Sequence, residues 1–160
     1  MKNHFTNDYQ FNTWWLLHQA QHAIFRVRRK ELSQYNVTLE QASVLFVIQV
    51  LSEADRKTTP GVIAKCVLRE PHAVSKILTR MEKEGLVRKI NGLGRKKNEV
   101  LVNLTEKGRT AYKHSIKRDS IHEIMSCLTE EECLQLRSLL DKLRDKALQE
   151  LMETRNTDSP

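Results

Sequence analysis

Glycine and proline are scarce in this 160-residue chain, at 5 and 3 residues. Average usage would supply about twice as many of each, so a loop-rich, collagen-like or low-complexity chain is excluded and long helices are favoured. Cysteine is nearly absent. Cys66, Cys127 and Cys133 are an odd number without a Cys-x-x-Cys spacing, which argues against a disulfide framework and a cysteine zinc site. Long apolar runs are missing too. The longest is Val44 to Ile48, far short of the roughly 20 residues of a membrane span. The N-terminal MKNHFTNDYQ has no apolar stretch for a secretory signal. A cytoplasmic protein without a membrane partner is expected, folded as a single domain over 1–160.

What the chain has in excess is positive charge, and it is unevenly placed. The net charge is +7, but residues 105–160 carry 10 basic and 11 acidic side chains. Between Arg56 and Lys97 there are 12 basic and only 3 acidic residues. A field of that sign attracts polyanions, so nucleic acid is the first partner to consider.

The order of the elements sharpens this. Phe11 to about Leu32 reads as a long helix with Trp14, Leu17, Ile24 and Leu32 near one stripe. Thr38 and Gln41 form a capping box for a second helix, whose Val44 to Ile48, Val50 and Leu51 predict burial nearly all round. Thr59-Pro60 and Glu70-Pro71 each open a further helix, the second of them closing at Gly85. Leu86 to Ile90 and Glu99 to Leu104 then read as two short strands around a polar, basic tip. Thr105 caps a fifth helix expected to run to about Cys127, and Thr129 with Glu132 opens a sixth. Cys133, Leu136, Leu140, Leu143, Ala147 and Leu151 form a seam along that last helix.

The fourth helix carries the sharpest pattern. Val74, Ile77, Leu78 and Met81 repeat at core spacing. The opposite face holds His72, Lys76, Thr79 and Lys83, flanked by Ser75 and Arg80, with Glu82 and Glu84 directed elsewhere. Lysine, arginine and small hydroxyls are the groups that read base edges in a major groove. Short helix, turn, recognition helix and basic hairpin, in that order and at these lengths, describe a winged helix-turn-helix. The fold class expected is therefore mainly α with a small β-hairpin wing, comprising a DNA-binding core over 38–104 and dimerisation helices over 11–33 and 105–153. The DNA-contacting set is Pro71, His72, Ser75, Lys76, Thr79 and Arg80 on the helix, with Arg95, Lys96 and Lys97 on the wing. Phe11, Trp14, Leu17, Leu136, Leu140 and Leu143 are more apolar surface than a small core can cover, and are assigned to a homodimer contact.

Thr38-Leu-Glu-Gln41, Val74-Ser75-Lys76, Met81 to Val87 and above all Leu104-Thr105-Glu106-Lys107-Gly108 resemble the MarR family of multiple-antibiotic-resistance-type regulators. The resemblance implies a dimeric regulator, more often a repressor of nearby genes, that leaves a pseudo-palindromic operator when an effector or oxidation changes the spacing of its recognition helices. It also implies an Asp-x-Arg in the wing. Here Lys96 and Asn98 occupy those positions, which keeps a sequence-tolerant, nucleoid-type DNA-binding protein as the alternative.

No effector site is legible. Phe11, Trp14, Trp15 and Phe46 are read as core and dimer filler before a ligand pocket. His18 and His22 share a helical face, and the eight-residue spacing of His114 and His122 would allow them to approach on a continuous fifth helix; with no third ligand evident, no metal is expected at either pair. The three thiols are expected to be buried or inert. An enzyme is disfavoured, since G-x-S-x-G, HExxH and the P-loop are absent and Gly92-Leu-Gly94 opens a strand. No cofactor is expected.

Overall fold

The computed structural model describes residues 7–91 and 99–157. Two compact units meet in sequence after Ser120.

The first unit begins with α1 (Tyr9–Ser33), two residues earlier than the apolar stripe suggested. Asp8 sets that start, its carboxylate accepting from the amides of Gln10 and Phe11 at 2.9 and 3.1 Å. In α2 (Leu39–Glu53) the capping box is reciprocal. The Gln41 amide donates to the Thr38 hydroxyl, and the Thr38 amide to the Gln41 side-chain oxygen. Val44, Leu45, Ile48 and Leu51 enter the core, but Phe46 and Val50 stay exposed. The expectation of burial all round is therefore corrected: α2 has a core face and an uncovered apolar face.

Thr59 caps the short α3 (Pro60–Cys66), and α4 (Pro71–Lys83) follows. Val74, Leu78 and Met81 are fully buried and Ile77 half-buried. Gly85 ends the helix at φ +72°. Its amide donates to the Glu82 carbonyl and that of Leu86 to Met81 at 2.8 Å, the glycine-dependent helix stop. Strands β1 (Val87–Asn91) and β2 (Val100–Leu104) pair antiparallel, Val87 opposite Leu104 and Asn91 opposite Val100. The base of the hairpin is tied down twice more. The Val102 amide donates to the Thr58 carbonyl at 3.0 Å, and Lys57 Nζ meets Glu99 at 2.8 Å.

The expected fifth helix is broken. It divides into α5 (Glu106–Ser115) and α6 (Asp119–Met125). The cause is Arg28 of α1, a buried guanidinium that donates to the carbonyls of Ser115 and Lys117 and so takes up acceptors a continuous helix would use. Arg28 also pairs with Glu31, whose carboxylate accepts from the hydroxyl and amide of Ser120 in the first turn of α6. Burial raises the Glu31 pKa, but the Ser120 and Arg28 hydrogen bonds and the Arg28 charge outweigh it and hold the carboxyl below its ordinary value.

The second unit is dominated by α7 (Glu130–Thr157). Its capping box forms as expected, with the Thr129 amide on Glu132 at 2.8 Å and the Glu132 amide on the Thr129 hydroxyl at 3.2 Å. Backbone and hydroxyl donation from Thr129 holds the Glu132 carboxyl below its ordinary range.

Candidate nucleic-acid interface

The residues from Leu104 to Gly108 set the position of α4. The Thr105 hydroxyl donates to the carbonyl of Gly85 at 2.6 Å and lies 3.2 Å from that of Leu86, while accepting the Gly108 amide at 3.0 Å. The Lys107 ammonium donates to the carbonyl of Glu84 at 2.7 Å, a cation at the negative end of the α4 dipole. Gly108 is buried because α5 starts against the Leu86 carbonyl. A Cβ there would lie 1.9 Å from that oxygen. The segment is a clamp that fixes the end of α4 to the root of the hairpin.

With its apolar side in the core, α4 presents Pro71, His72, Ser75, Lys76, Thr79, Arg80 and Lys83 to solvent. Ser75, Lys76, Thr79, Arg80 and Lys83 line one shallow depression. The nearby acids are committed to neighbours. Glu82 pairs with Lys89 of β1 at 2.9 Å and accepts the Lys89 amide at 3.2 Å; the Lys89 hydrogen bond is the main reason its carboxyl titrates below the ordinary value. Glu84 pairs with Arg80 at 2.9 Å and accepts from the buried Gln41 at 2.5 Å. One basic flank of the face is thus partly neutralised, and the expectation that Glu84 is directed elsewhere is corrected: it reaches Arg80 at i,i+4 spacing. The Lys89 ammonium, 3.4 Å from the Thr79 hydroxyl, is an addition to the face that sequence missed. Strand alternation would have found it, since Lys89 shares a side with Val87. Arg95, Lys96 and Lys97 lie outside the described residues.

Phe11, Trp14 and Leu17 are exposed along α1, and Leu136, Leu140 and Leu143 along α7. Phe11, Trp14 and Phe46 are therefore not core filler. Their rings stand on the surface of the first unit, Phe11 and Trp14 with centroids 5.3 Å apart. Trp14 and Trp15 both stack on His18, which meets His22 edge-on at 4.5 Å. Among the described residues no three His, Cys, Asp or Glu side chains are grouped for a metal. His114 and His122 are not neighbours on one helix, because the break separates them; His114 instead stacks on Tyr35 at 4.7 Å. The thiols are not buried either. Cys66 and Cys127 are exposed and Cys133 is half-buried. Among the described residues, no helix is long and apolar enough to cross a membrane.

Residues 35–96 match the sequence model of the MarR family. An organohalide-sensing transcriptional regulator, RdhR, solved with 2,4-dichlorophenol, is 31% identical. The alignment covers 92% of this chain and 87% of that one, with a TM-score of 0.79. A mutant MarR from E. coli, solved with operator DNA, is 26% identical over 80% of this chain and 90% of its own, TM-score 0.72. MepR from S. aureus, solved with DNA, shares the fold at 22% identity, covering 88% of this chain and 99% of its own, TM-score 0.75. Among curated proteins no relative matches.

Proposed function

Because the chain belongs to the MarR family of transcriptional regulators, we propose that it acts as a dimeric, sequence-specific repressor of nearby genes, released from its operator by an effector. The observation that carries this reading is the α4 face, where exposed His72, Ser75, Lys76, Thr79 and Arg80 gather while Glu82 and Glu84 are held by neighbours. In a helix-turn-helix the N-terminal part of such a helix meets base edges, which assigns Pro71, His72, Ser75 and Lys76 to base reading. Thr79 and Arg80 sit nearer the phosphates. Arg95, Lys96 and Lys97 are assigned to the backbone or the adjoining minor groove. The relatives solved with operator DNA and with a small organic ligand support both halves of the proposal. In this reading the core spans 38–104, the flanking helices dimerise, and the protein works in the cytoplasm without catalysing a reaction.

Selection of duplexes from a random library by the full-length protein tests the specific reading. Enrichment of a pseudo-palindrome with half-sites about 10 bp apart is expected. Recovery of unrelated sequences bound with equal affinity would instead establish the sequence-tolerant alternative, which the Lys96 and Asn98 departure in the wing favours. If the dimer neutralises about eight phosphates, log K should fall with a slope near −7 against log salt. Replacing Lys96 and Lys97 by alanine should shallow that slope by about 1 per lost phosphate contact in each subunit.

The dimer assignment rests on the bare apolar side chains of α1 and α7. Trp14→Asp combined with Leu140→Asp should yield a folded monomer by sedimentation, with the half-site pair no longer bound together. An unchanged dimer would remove Trp14 and Leu140 from the contact.

A further inference from the structure

Arg80, on the exposed face of α4, is tied to the interior of the first unit by three hydrogen bonds in series. The Thr38 amide donates to Gln41 Oε1 at 3.0 Å. Gln41 Nε2 donates to Glu84 Oε2 at 2.5 Å, and Arg80 Nε donates to Glu84 Oε1 at 2.9 Å. The polarity of the series is fixed. A backbone amide can only donate, so the oxygen of the Gln41 side chain faces Thr38 and its NH2 must face Glu84. Glu84 then accepts from each side on a separate oxygen, which a carboxylate does and a carboxamide, with one oxygen, cannot.

An exposed i,i+4 pair by itself holds an arginine weakly, and the Arg80 side chain is 70% exposed. Here the acid is not free to swing. Gln41 is buried, 4% exposed, and locked by the capping box of α2. The Glu84 carbonyl is held in turn by Lys107 Nζ at 2.7 Å. A carboxylate beside a DNA-contacting arginine also repels phosphates, so its placement costs affinity unless it does something for that arginine. The geometry shows what it does. Because the contact is made through Nε, the fork of two Nη groups is left for bidentate donation to a phosphate. Ser75, Lys76, Thr79 and Lys83 border the same depression.

We infer that Gln41 and Glu84 are positioning residues for DNA binding, which set the Arg80 guanidinium in advance in the pose that grips one phosphate. Arginine has many rotamers to lose, and ordering such a side chain on binding costs about 2- to 12-fold in affinity. The brace moves that cost into the folding of the free protein. A phosphate gripped in one fixed pose also sets the register of α4 in the groove. The inference rests on the DNA-binding reading of α4.

The test titrates the full-length protein and its variants against one fluorescein-labelled duplex, the tightest-bound from the selection described above, over a range of salt. Arg80→Ala should weaken binding at least about tenfold and shallow the salt slope by about 1 in each subunit. Gln41→Met keeps volume and charge but lets Glu84 go. It should weaken binding about 5- to 100-fold in a twofold dimer while keeping the salt slope. Arg80→Ala should then cost less in that background than in the natural protein. The double exchange Gln41→Glu, Glu84→Gln reverses donor and acceptor at unchanged net charge. The new acid still accepts the Thr38 amide, and the new amide donates to it while its oxygen faces Arg80 Nε. That protein should bind within about threefold of the natural one. Natural affinity in Gln41→Met, or a loss that the exchange does not restore, would overturn the inference. Should the exchange fail to fold, equal costs of Arg80→Ala in the two backgrounds overturn it instead. If Arg80→Ala binds like the natural protein, Arg80 leaves the DNA-contacting set and the inference goes with it. A natural protein that binds no duplex would remove the proposed function itself.

Discussion

Alanine in place of Gly108 should destabilise the protein by about 2 kcal/mol or more, although glycine-to-alanine changes inside helices ordinarily stabilise by about 1 kcal/mol. The sign reverses because the new Cβ would stand 1.9 Å from the Leu86 carbonyl oxygen. That atom is backbone at the root of β1 and also accepts the Thr105 amide at 3.1 Å. It cannot rotate away as a flexible side chain would, so α5 must move off the hairpin and loosen the clamp on α4. Overpacking of this kind costs about 1–3 kcal/mol and sometimes more. In a chain of this size, 2 kcal/mol corresponds to a fall of about 4–8 °C in Tm. Gly61 of α3 is the control. It has open space around its would-be Cβ, so Gly61→Ala should be neutral or stabilising by up to about 1 kcal/mol. Equal Tm values for Gly108→Ala and the natural protein would refute the close approach, and an unchanged DNA affinity would refute its role in holding α4.

Arg28→Met should cost more, about 3–5 kcal/mol, because it leaves half-buried Glu31 with its Ser120 hydrogen bonds but without its cation and frees two carbonyls at once. The double variant Arg28→Met, Glu31→Leu removes the stranded charge and should recover part of the loss. Urea unfolding of the three proteins at pH 7 measures this, and a cost under 1 kcal/mol for Arg28→Met would show that the joint does not depend on the guanidinium. Acid titration gives an independent reading. The folded Glu31 carboxyl titrates below its ordinary value of 4.5. Its contribution to stability is therefore complete above that ordinary value and is lost as pH falls through the lower folded value. Glu31→Gln should flatten the acid limb of the stability curve below pH 4.5 and leave the neutral region flat.

These two sites also mark where sequence reading succeeds and where it stops. Thr38 with Gln41, Thr59 before Pro60, Gly85 and Thr129 with Glu132 were all legible, since each is a local contest for the orphan groups at a helix end and its participants lie within five residues. The face of α4 was legible for the same reason, a period of 3.6 needing only its own helix. The break after Ser115 was not. Its cause sits 87 residues away in Arg28, and nothing between Thr105 and Cys127 announces it. The Arg80–Glu84 pair was within reach of the sequence, being i,i+4, whereas the hydrogen bond from Gln41 that holds Glu84 was not, since it comes from another helix 43 residues away. Exposure of Phe46, Val50 and two thiols reflects a different limit: composition records that a side chain is apolar, not which surface it meets.

The hairpin root has one further consequence. Register pairing from Val87–Leu104 to Asn91–Val100, the Thr58 to Val102 hydrogen bond and the Lys57–Glu99 ion pair all lie between the tip and the rest of the fold. A socket anchored at so many points tolerates exchange of whatever is plugged into it. Tips of other lengths and charges should therefore be graftable between Asn91 and Glu99 at little cost in folding, so that lineages, or engineers, can exchange one short cassette without rebuilding the fold.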